Sequence, residues 1–157
     1  MAQFSSGRSS FTPVASTTQI NSWVLTVSTT GQLAFVKKYG FGGMGTTSTG
    51  YQTRWARVSN TPVTATALLI ASTGGTGVTP TATCNTYTGT QATATAANSL
   101  DEQDWNVLGG GMQIVLPIGG EWYVLGGALG TAFNQIGCGN VTGSDANLSS
   151  YSVQWAE

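Results

Sequence analysis

Histidine is missing from this chain of 157 residues. It is the commonest general base, metal ligand and pH switch in proteins, so its absence excludes a Ser-His-Asp or a Cys-His catalytic arrangement. A zinc site would have to depend on two cysteines and on carboxylates, an unusual set of donors. The composition therefore predicts a protein that is not an enzyme and that needs no metal or cofactor.

Charged residues are scarce, at 7% of the chain, and the net charge is −1. An ordinary soluble domain carries about 25% charged residues. With no basic field for nucleic acid and no polybasic patch for a membrane surface, neither is expected as a partner. Molecules with few charges repel each other little, so the composition permits dense packing against neighbouring copies.

Long apolar runs are also missing. No stretch approaches the roughly 20 apolar residues of a membrane span, and the N-terminal MAQFSSGRSSF has no apolar run of a signal peptide. Nothing in the sequence directs the chain out of the cytosol, so Cys84 and Cys138 are expected to be buried, reduced thiols. The sequence leaves open whether the two cysteines meet.

The first 19 residues are polar, rich in Ser and Thr, and interrupted by Gly7 and Pro13. They predict an extended N-terminal arm over residues 1–19, followed by a single domain over residues 20–157. Phe4 and Phe11 are isolated apolar residues that could anchor this arm on a neighbouring subunit. A disordered tail is the alternative.

The clearest pattern lies in YQTRWARVSNTPVTATALLIAST, residues 51–73. Alternation from Tyr51 to Val58 predicts a half-buried strand with Arg54 and Arg57 on opposite faces. Asn60 and Pro62 indicate a turn, and a second strand to Ala71 would complete a hairpin. Cations are rare here, so at least one of the two arginines is expected to bind a carboxylate or carbonyl outside its own core.

Other short apolar or Thr-rich runs predict further strands. Lys37 and Lys38, in the predicted strand Gln32–Tyr39, should point to opposite faces because they are adjacent, so one would face a partner, an edge or a rim. The other predicted strands are Ile20–Ser28, Val78–Tyr87, Gln91–Ala97, Met112–Pro117, Glu121–Leu125 and Leu148–Trp155.

Two local patterns favour other structures. Ser99-Leu100-Asp101-Glu102 matches a capping box, which predicts one or two turns of helix with an acidic start. GFGGMG, residues 40–45, fits the G-x-G-x-x-G pattern of dinucleotide sites, but no strand-to-helix context surrounds it. It is interpreted as a flexible loop.

Many short strands with glycine-rich turns predict an all-β fold: an antiparallel β-sandwich, jelly-roll-like, with an extended N-terminal arm. An up-and-down barrel is the alternative. The segments RVSNTPVTATALLIAS, MQIVLPIGGEWYVLGG and YSVQWAE resemble capsid decoration proteins, also called cement or head-stabilising proteins, of tailed bacteriophages. The resemblance spans roughly residues 50 to 157.

The resemblance implies a β-sandwich without activity on the capsid surface of a virion, made in the host cytoplasm. Its partners would be the major capsid protein lattice and further copies of itself, a trimer being favoured over a dimer. The residues expected at such interfaces are Phe4, Phe11, Lys37, Lys38, Arg54 and Arg57.

Two other functions fit parts of the sequence. A carbohydrate-binding or adhesin module could stack sugars on Trp105, Trp122 or Trp155, if these are exposed. A glycosidase would need two acids across a cleft, and the candidate acids are Asp101, Glu102, Asp104 and Glu121. The first three of these acids are sequence neighbours, which argues against the enzyme.

Overall fold

The computed structural model describes residues 1–11, 19–20, 23–43, 48–58, 64–74, 77–88, 92–93, 99–106, 108, 110–127, 134–142 and 149–157. These residues form antiparallel strands and no helix, which confirms the predicted all-β class. Accordingly, no described helix is long and apolar enough to cross a membrane.

Fourteen strands follow one another in these described ranges. They are β1 (Gln3–Phe11), β2 (Gln19–Ile20), β3 (Trp23–Val27), β4 (Leu33–Gly43), β5 (Gly50–Arg57), β6 (Thr64–Ala67), β7 (Ile70–Ser72), β8 (Ala82–Thr88), β9 (Ala92–Thr93), β10 (Ser99–Asn106), β11 (Met112–Val115), β12 (Trp122–Leu125), β13 (Gln135–Thr142) and β14 (Ser149–Ala156).

The strands form two six-stranded sheets and one small pair. Sheet 1 has the order β11-β4-β14-β1-β7, and β12 also pairs with β4. Sheet 2 has the order β10-β5-β13-β3-β8-β6, and β2 pairs with β9. Most neighbours in space are distant in sequence, so neither sheet is a simple meander.

Aromatic side chains from both sheets meet in one core. Tyr39 of sheet 1 lies 4.9 Å from Trp55 of sheet 2, and Phe41 lies 5.3 Å from Trp105, measured between ring centroids. Such tilted ring pairs add to the gain from burying apolar area. The largest fully buried side chains are Trp23, Trp55, Trp155, Tyr39, Tyr51, Tyr151 and Phe4.

The predicted N-terminal arm is wrong over Gln3–Phe11, because this segment is β1, an internal strand of sheet 1. It pairs with β14 on one side and with β7 on the other. Phe4 is 1% exposed and joins the core, and Ser6 on the same face is also buried. The strand was not predicted because its buried face combines one Phe with Ser, so the segment is polar in composition. Residues 12–18 lie outside the described residues.

The predicted hairpin is also wrong, although its strands exist. β5 pairs with β10 and β13, whereas the second predicted strand divides into β6 in sheet 2 and β7 in sheet 1. Leu68 and Leu69 connect them as the chain crosses between sheets. The predicted turn at Ser59–Pro62 lies outside the described residues.

Two predicted local structures are replaced by strands. The capping-box segment begins β10, in which Asp101 and Gln103 lie opposite Trp55 and Thr53 of β5. Pairing with a neighbouring strand outweighs the local preference for a helical turn.

The glycine run is likewise strand rather than loop through Gly43, and residues 44–47 lie outside the described residues. A Cβ at Gly40 would lie 2.9 Å from the Met112 carbonyl oxygen and 3.0 Å from Ser152 Oγ. Close contact with β11 and β14 therefore requires glycine at this position. No phosphate-binding role is needed to explain it.

Both cysteines are buried free thiols on sheet 2. Cys138 of β13 lies opposite Trp23 of β3, and Cys84 of β8 lies opposite Leu25 on the other side of that strand. Strands are about 4.8 Å apart, so two cysteines with a whole strand between them are too far apart for a disulfide.

Candidate functional site

A row of exposed apolar side chains covers one edge of sheet 1. Leu125 lies directly opposite Leu33, and Tyr123 opposite Phe35. The residues that alternate with them are fully buried in the core: Ala34, Val36 and Val124. Because strand residues alternate between faces, the first four point away from the core. Leu33, Tyr123 and Leu125 are 41%, 43% and 45% exposed, respectively.

A bulge at Lys37 extends this outward face along β4. Gln154 of β14 pairs with Lys38, and the next residue, Trp155, pairs with Val36, so Lys37 is the extra residue. The extra residue resets the alternation, because Val36 and Tyr39 both point into the core. The predicted opposite placement of Lys37 and Lys38 is wrong for this reason, and neither lysine is buried in the core.

The segment Leu116–Glu121 leaves sheet 1 opposite this bulge and returns as β12. Gly120 N–H donates to the Pro117 carbonyl at 2.9 Å, and Gly119 has φ +85°. This is the geometry of a type II turn, which requires a positive φ at its third residue. Ile118 occupies the second position and is 100% exposed. We call this segment the Ile118 turn.

An ion pair secures the Ile118 turn to the bulge. Lys37 Nζ lies 2.7 Å from Glu121 Oε1, and Gly119 N–H donates to Glu121 Oε2 at 2.7 Å. The hydrogen bond from Lys37 holds the pKa of Glu121 below its usual value, and bonds from the backbone act in the same direction. The Ile118 side chain is thus presented by a turn that is already ordered.

Leu33, Phe35, Val115, Tyr123, Leu125 and Ile118 together form the surface that we call the outer apolar face. Val115 belongs to it because it lies opposite Lys38 and is 70% exposed. Five of the ten large apolar side chains that remain exposed in the described residues belong to this face: Leu33, Val115, Ile118, Tyr123 and Leu125. A concentration of this kind marks an interaction site more often than scattered exposed residues do.

Arg57 contacts the edge of β12 beside this face. Its Nη1 donates to the Tyr123 carbonyl at 2.9 Å, and its guanidinium carbon lies 4.6 Å from the centroid of the Tyr123 ring. Burial lowers the pKa of Arg57 from its ordinary value, and Tyr123 opposes this effect. Arg57 therefore orients Tyr123 and also occupies an edge acceptor that another strand could bind.

Arg54 lies apart from this face. Its side chain is 9% exposed and its Nε lies 2.6 Å from Glu102 Oε1 on β10. Both arginines of the predicted hairpin therefore have a partner within the chain, a carboxylate for Arg54 and a backbone carbonyl for Arg57. A contact of either arginine with another molecule stays a prediction.

The two predicted interface phenylalanines belong to β1, away from the strands that carry the outer apolar face. Phe4 is in the core, and Phe11 lies at the end of β1, opposite Ser149. Lys37, Lys38 and Arg57 do border the face. Sequence reasoning missed Ile118 and Tyr123, although the Pro-Ile-Gly-Gly turn between two apolar runs was a usable signal.

Three of the four acids proposed for catalysis are held by internal contacts, and the fourth, Asp104, is exposed on β10. Asp101 accepts hydrogen bonds from Tyr39 Oη and from Gln103 Nε2, the latter at 3.0 Å to each carboxylate oxygen. Glu102 pairs with Arg54 and Glu121 with Lys37. Among the described residues no group of three His, Cys, Asp or Glu side chains is placed to hold a metal ion.

The three tryptophans proposed as a sugar platform do not form one exposed surface. Trp155 is 1% exposed. Trp105 and Trp122 are partly buried and pack against the core, where Trp122 stacks on Tyr39 at 4.7 Å between centroids. The exposed aromatic ring in this region is that of Tyr123.

Comparison of the chain with protein-family models, with curated proteins and with solved structures finds no match. The outer apolar face is therefore the feature of the described structure that bears on function.

Proposed function

We propose that this chain is a non-enzymatic structural protein of a virus particle that binds the outside of a bacteriophage capsid and stabilises the shell. Its partners would be the major capsid protein lattice and other copies of itself. It would be made in the host cytoplasm and act on the virion. The observation that supports the proposal is the outer apolar face with its fully exposed, ordered Ile118 turn.

Burial of Ile118 in a partner would be a favourable source of binding energy. Complete burial of an Ile side chain contributes about 1.5–3 kcal/mol. The turn is already held by Lys37 and Glu121, so little ordering cost offsets this gain. On a lattice, many such contacts act together, and each can be weak while the shell still gains stability.

The fold that we propose for this role is a β-sandwich with jelly-roll topology. The ring contacts between sheets 1 and 2 favour face-to-face packing. β4 pairs with the last strand, β14, while β5 pairs with the one before it, β13. Such nested pairing of early with late strands is what rolling one long hairpin into two sheets would produce.

The test uses phage heads stripped of the chain and then decorated again with recombinant protein. Ile118→Ser should reduce binding by at least about tenfold, because a buried Ile is lost from the contact. Val78→Ser is the matched control, since Val78 is 50% exposed but lies between β7 and β8, away from the outer apolar face. Decorated heads should also resist heating better than bare ones.

Specific results would contradict this proposal. If bare and decorated heads lose their DNA at the same temperature, the stabilising role is wrong. If Ile118→Ser and Val78→Ser bind alike at every concentration, the capsid contact does not involve the Ile118 turn.

A carbohydrate-binding or adhesin module is the second candidate, favoured by the exposed Tyr123 ring with Arg57 beside it. An aromatic face with nearby donors is suited to stacking on a sugar. A glycan-binding screen tests this directly. A hit that disappears in Tyr123→Ala, together with absent capsid binding, would replace the first proposal.

A further inference from the structure

The strand β6 is one outer edge of sheet 2, since the order of that sheet ends in β8-β6. Leu68 N–H donates to the Cys84 carbonyl at 2.8 Å, and the register places Ala67 opposite Asn85. Bonded and non-bonded pairs alternate in an antiparallel ladder. Thr66 therefore bonds to β8, whereas the N–H and C=O groups of Ala65 and Ala67 point away from it.

The three other edges of sheets 1 and 2, as far as the structure describes them, are unsuited to pairing with a copy of themselves. β10 carries Asp101, Glu102 and Asp104, which would face like charges across a two-fold axis. The edge formed by β11 and β12 is interrupted by the Ile118 turn and closed by Arg57. β7 has only three residues.

Within the part of the chain that the structure describes, the β6 edge has none of these protections. The sequence contains no charged residue from Val58 to Leu100, a stretch that includes β6, β7 and β8. Thr66 and Ala67 are exposed. Natural edge strands are usually protected by lysine, proline, a bulge or a covering segment, and an unprotected edge is a template for another strand.

We propose that β6 is a self-association edge, which pairs antiparallel with β6 of a second copy about a two-fold axis at Thr66. In that register Ala65 of each copy lies opposite Ala67 of the other, so the outward groups exchange four hydrogen bonds. The two Thr66 residues face each other directly, an arrangement that favours Thr–Thr contacts. Sheet 2 then continues across the axis into its copy.

This contact rests on the proposed function, because it specifies how copies of the chain would associate with each other. It is tested on the isolated protein, however. A failure of capsid binding would therefore not contradict the self-association. A two-fold axis produces a dimer, not the trimer that the phage resemblance favours. The outer apolar face lies on sheet 1 at β4 and β12, away from β6, so one molecule can use both surfaces. A strand edge of four residues is a small contact, and small contacts are weak.

The experiment measures molecular mass by sedimentation equilibrium over about 0.02–1 mM protein, the range expected for a small interface. Thr66→Lys places two like charges opposite each other and should weaken association at least about tenfold. Thr83→Lys adds the same charge at an exposed site on β8, an internal strand, and should associate like the natural sequence.

Ala67→Pro is a second variant that acts through the backbone alone. It removes an N–H that points outward, and proline is tolerated at such edge positions, so the variant should stay folded and become monomeric. The proposal fails if the natural chain remains monomeric at 1 mM, or if the two lysine variants associate equally. Unfolding of Ala67→Pro would also overturn it, because Ala67 N–H would then belong to the ladder with β8.

Discussion

At the scale of single residues, Glu157 fastens the end of β14 to the start of β8. Its carboxylate accepts hydrogen bonds from Thr81 N–H at 2.7 Å, from Ala82 N–H at 3.0 Å and from Trp155 Nε1 at 2.8 Å. Burial alone would raise the pKa of Glu157, but a hydrogen bond from the Thr81 hydroxyl together with these three bonds outweighs burial and lowers it. The acid therefore links sheet 1 to sheet 2 through hydrogen bonds that favour its charged form.

Glu157→Gln should lower stability, because a neutral amide accepts these bonds less strongly. The expected loss is about 1–2 kcal/mol at pH 7, a fall in Tm of roughly 2–8 °C. Because the pKa of Glu157 is lower in the folded protein, its contribution to stability is complete above the ordinary glutamate pKa of about 4.3. This contribution is lost as the pH falls through the lower pKa of the folded protein. Thermal unfolding measured from pH 7 to pH 3 should show the two curves converging.

Asp104→Asn is the control for this prediction, since Asp104 is an exposed acid on β10. Its Tm should lie within about 2 °C of the natural chain at neutral pH. A constant gap between Glu157→Gln and the natural chain down to pH 3 would show that the lost contacts do not depend on charge.

At the scale of elements, the Ile118 turn depends on Glu121 for its order. Glu121→Gln removes the ion pair with Lys37 and weakens the bond from Gly119 N–H. We expect Tm to be nearly unchanged, because the turn lies outside the core, while the Gly119 and Gly120 amides exchange with solvent several-fold faster.

The Glu121 carboxylate has a lowered pKa, so protection of Gly119 in the natural chain should persist at neutral pH and decrease only as pH falls through that lowered value. Hydrogen exchange followed by NMR, corrected for intrinsic rates, measures both effects, with Asp104→Asn again as the control. Equal protection in Glu121→Gln would mean that Gly120 and Pro117 suffice to hold the turn.

Strand faces could be predicted from the sequence, but strand partners could not. Alternation correctly predicted a strand at β5 and placed Tyr51, Thr53 and Trp55 on one face, because period two is a property of one strand. The expected half-burial is wrong, since Arg54 and Ala56 on the other face are buried too. Its neighbours β10 and β13 are far along the chain, and local turn signals carry no information on them.

The bulge at Lys37 shows the same limit for the candidate site. It exists only because one residue of β4 has no partner on β14, which is a property of the pair of strands. The Pro-Ile-Gly-Gly turn could have indicated that Ile118 is at the surface, but the outward position of Tyr123 became recognisable only once β12 was placed beside β4. Their exposure follows from tertiary position rather than from residue type.

At the scale of the whole molecule, the reactivity of the two buried thiols measures how often the core opens completely. Cys84 is 1% exposed and Cys138 is 0% exposed, and burial raises the pKa of Cys84 to about 12. We expect two reactive thiols per chain in denaturant and almost none under native conditions. The native labelling rate should follow global stability across variants, so Glu157→Gln should react about five- to thirtyfold faster, matching its loss of 1–2 kcal/mol.

Thiol titration with a chromogenic disulfide checks this, with and without denaturant. Detection of fewer than two thiols in denaturant, restored by a reducing agent, would contradict the placement of β3 between the two cysteines. Rapid native labelling would instead indicate local opening of β8 or β13.

The position of the last two strands has a consequence for synthesis on the ribosome. β13 lies between β5 and β3 in sheet 2, and β14 lies between β4 and β1 in sheet 1. Each sheet therefore lacks an internal strand until the final part of the chain has been made. The earlier strands emerge with unpaired edges, and long-range pairing of this kind is slow and exposes chains to misassembly. Chaperone occupancy on nascent chains should consequently persist until β14 has left the exit tunnel.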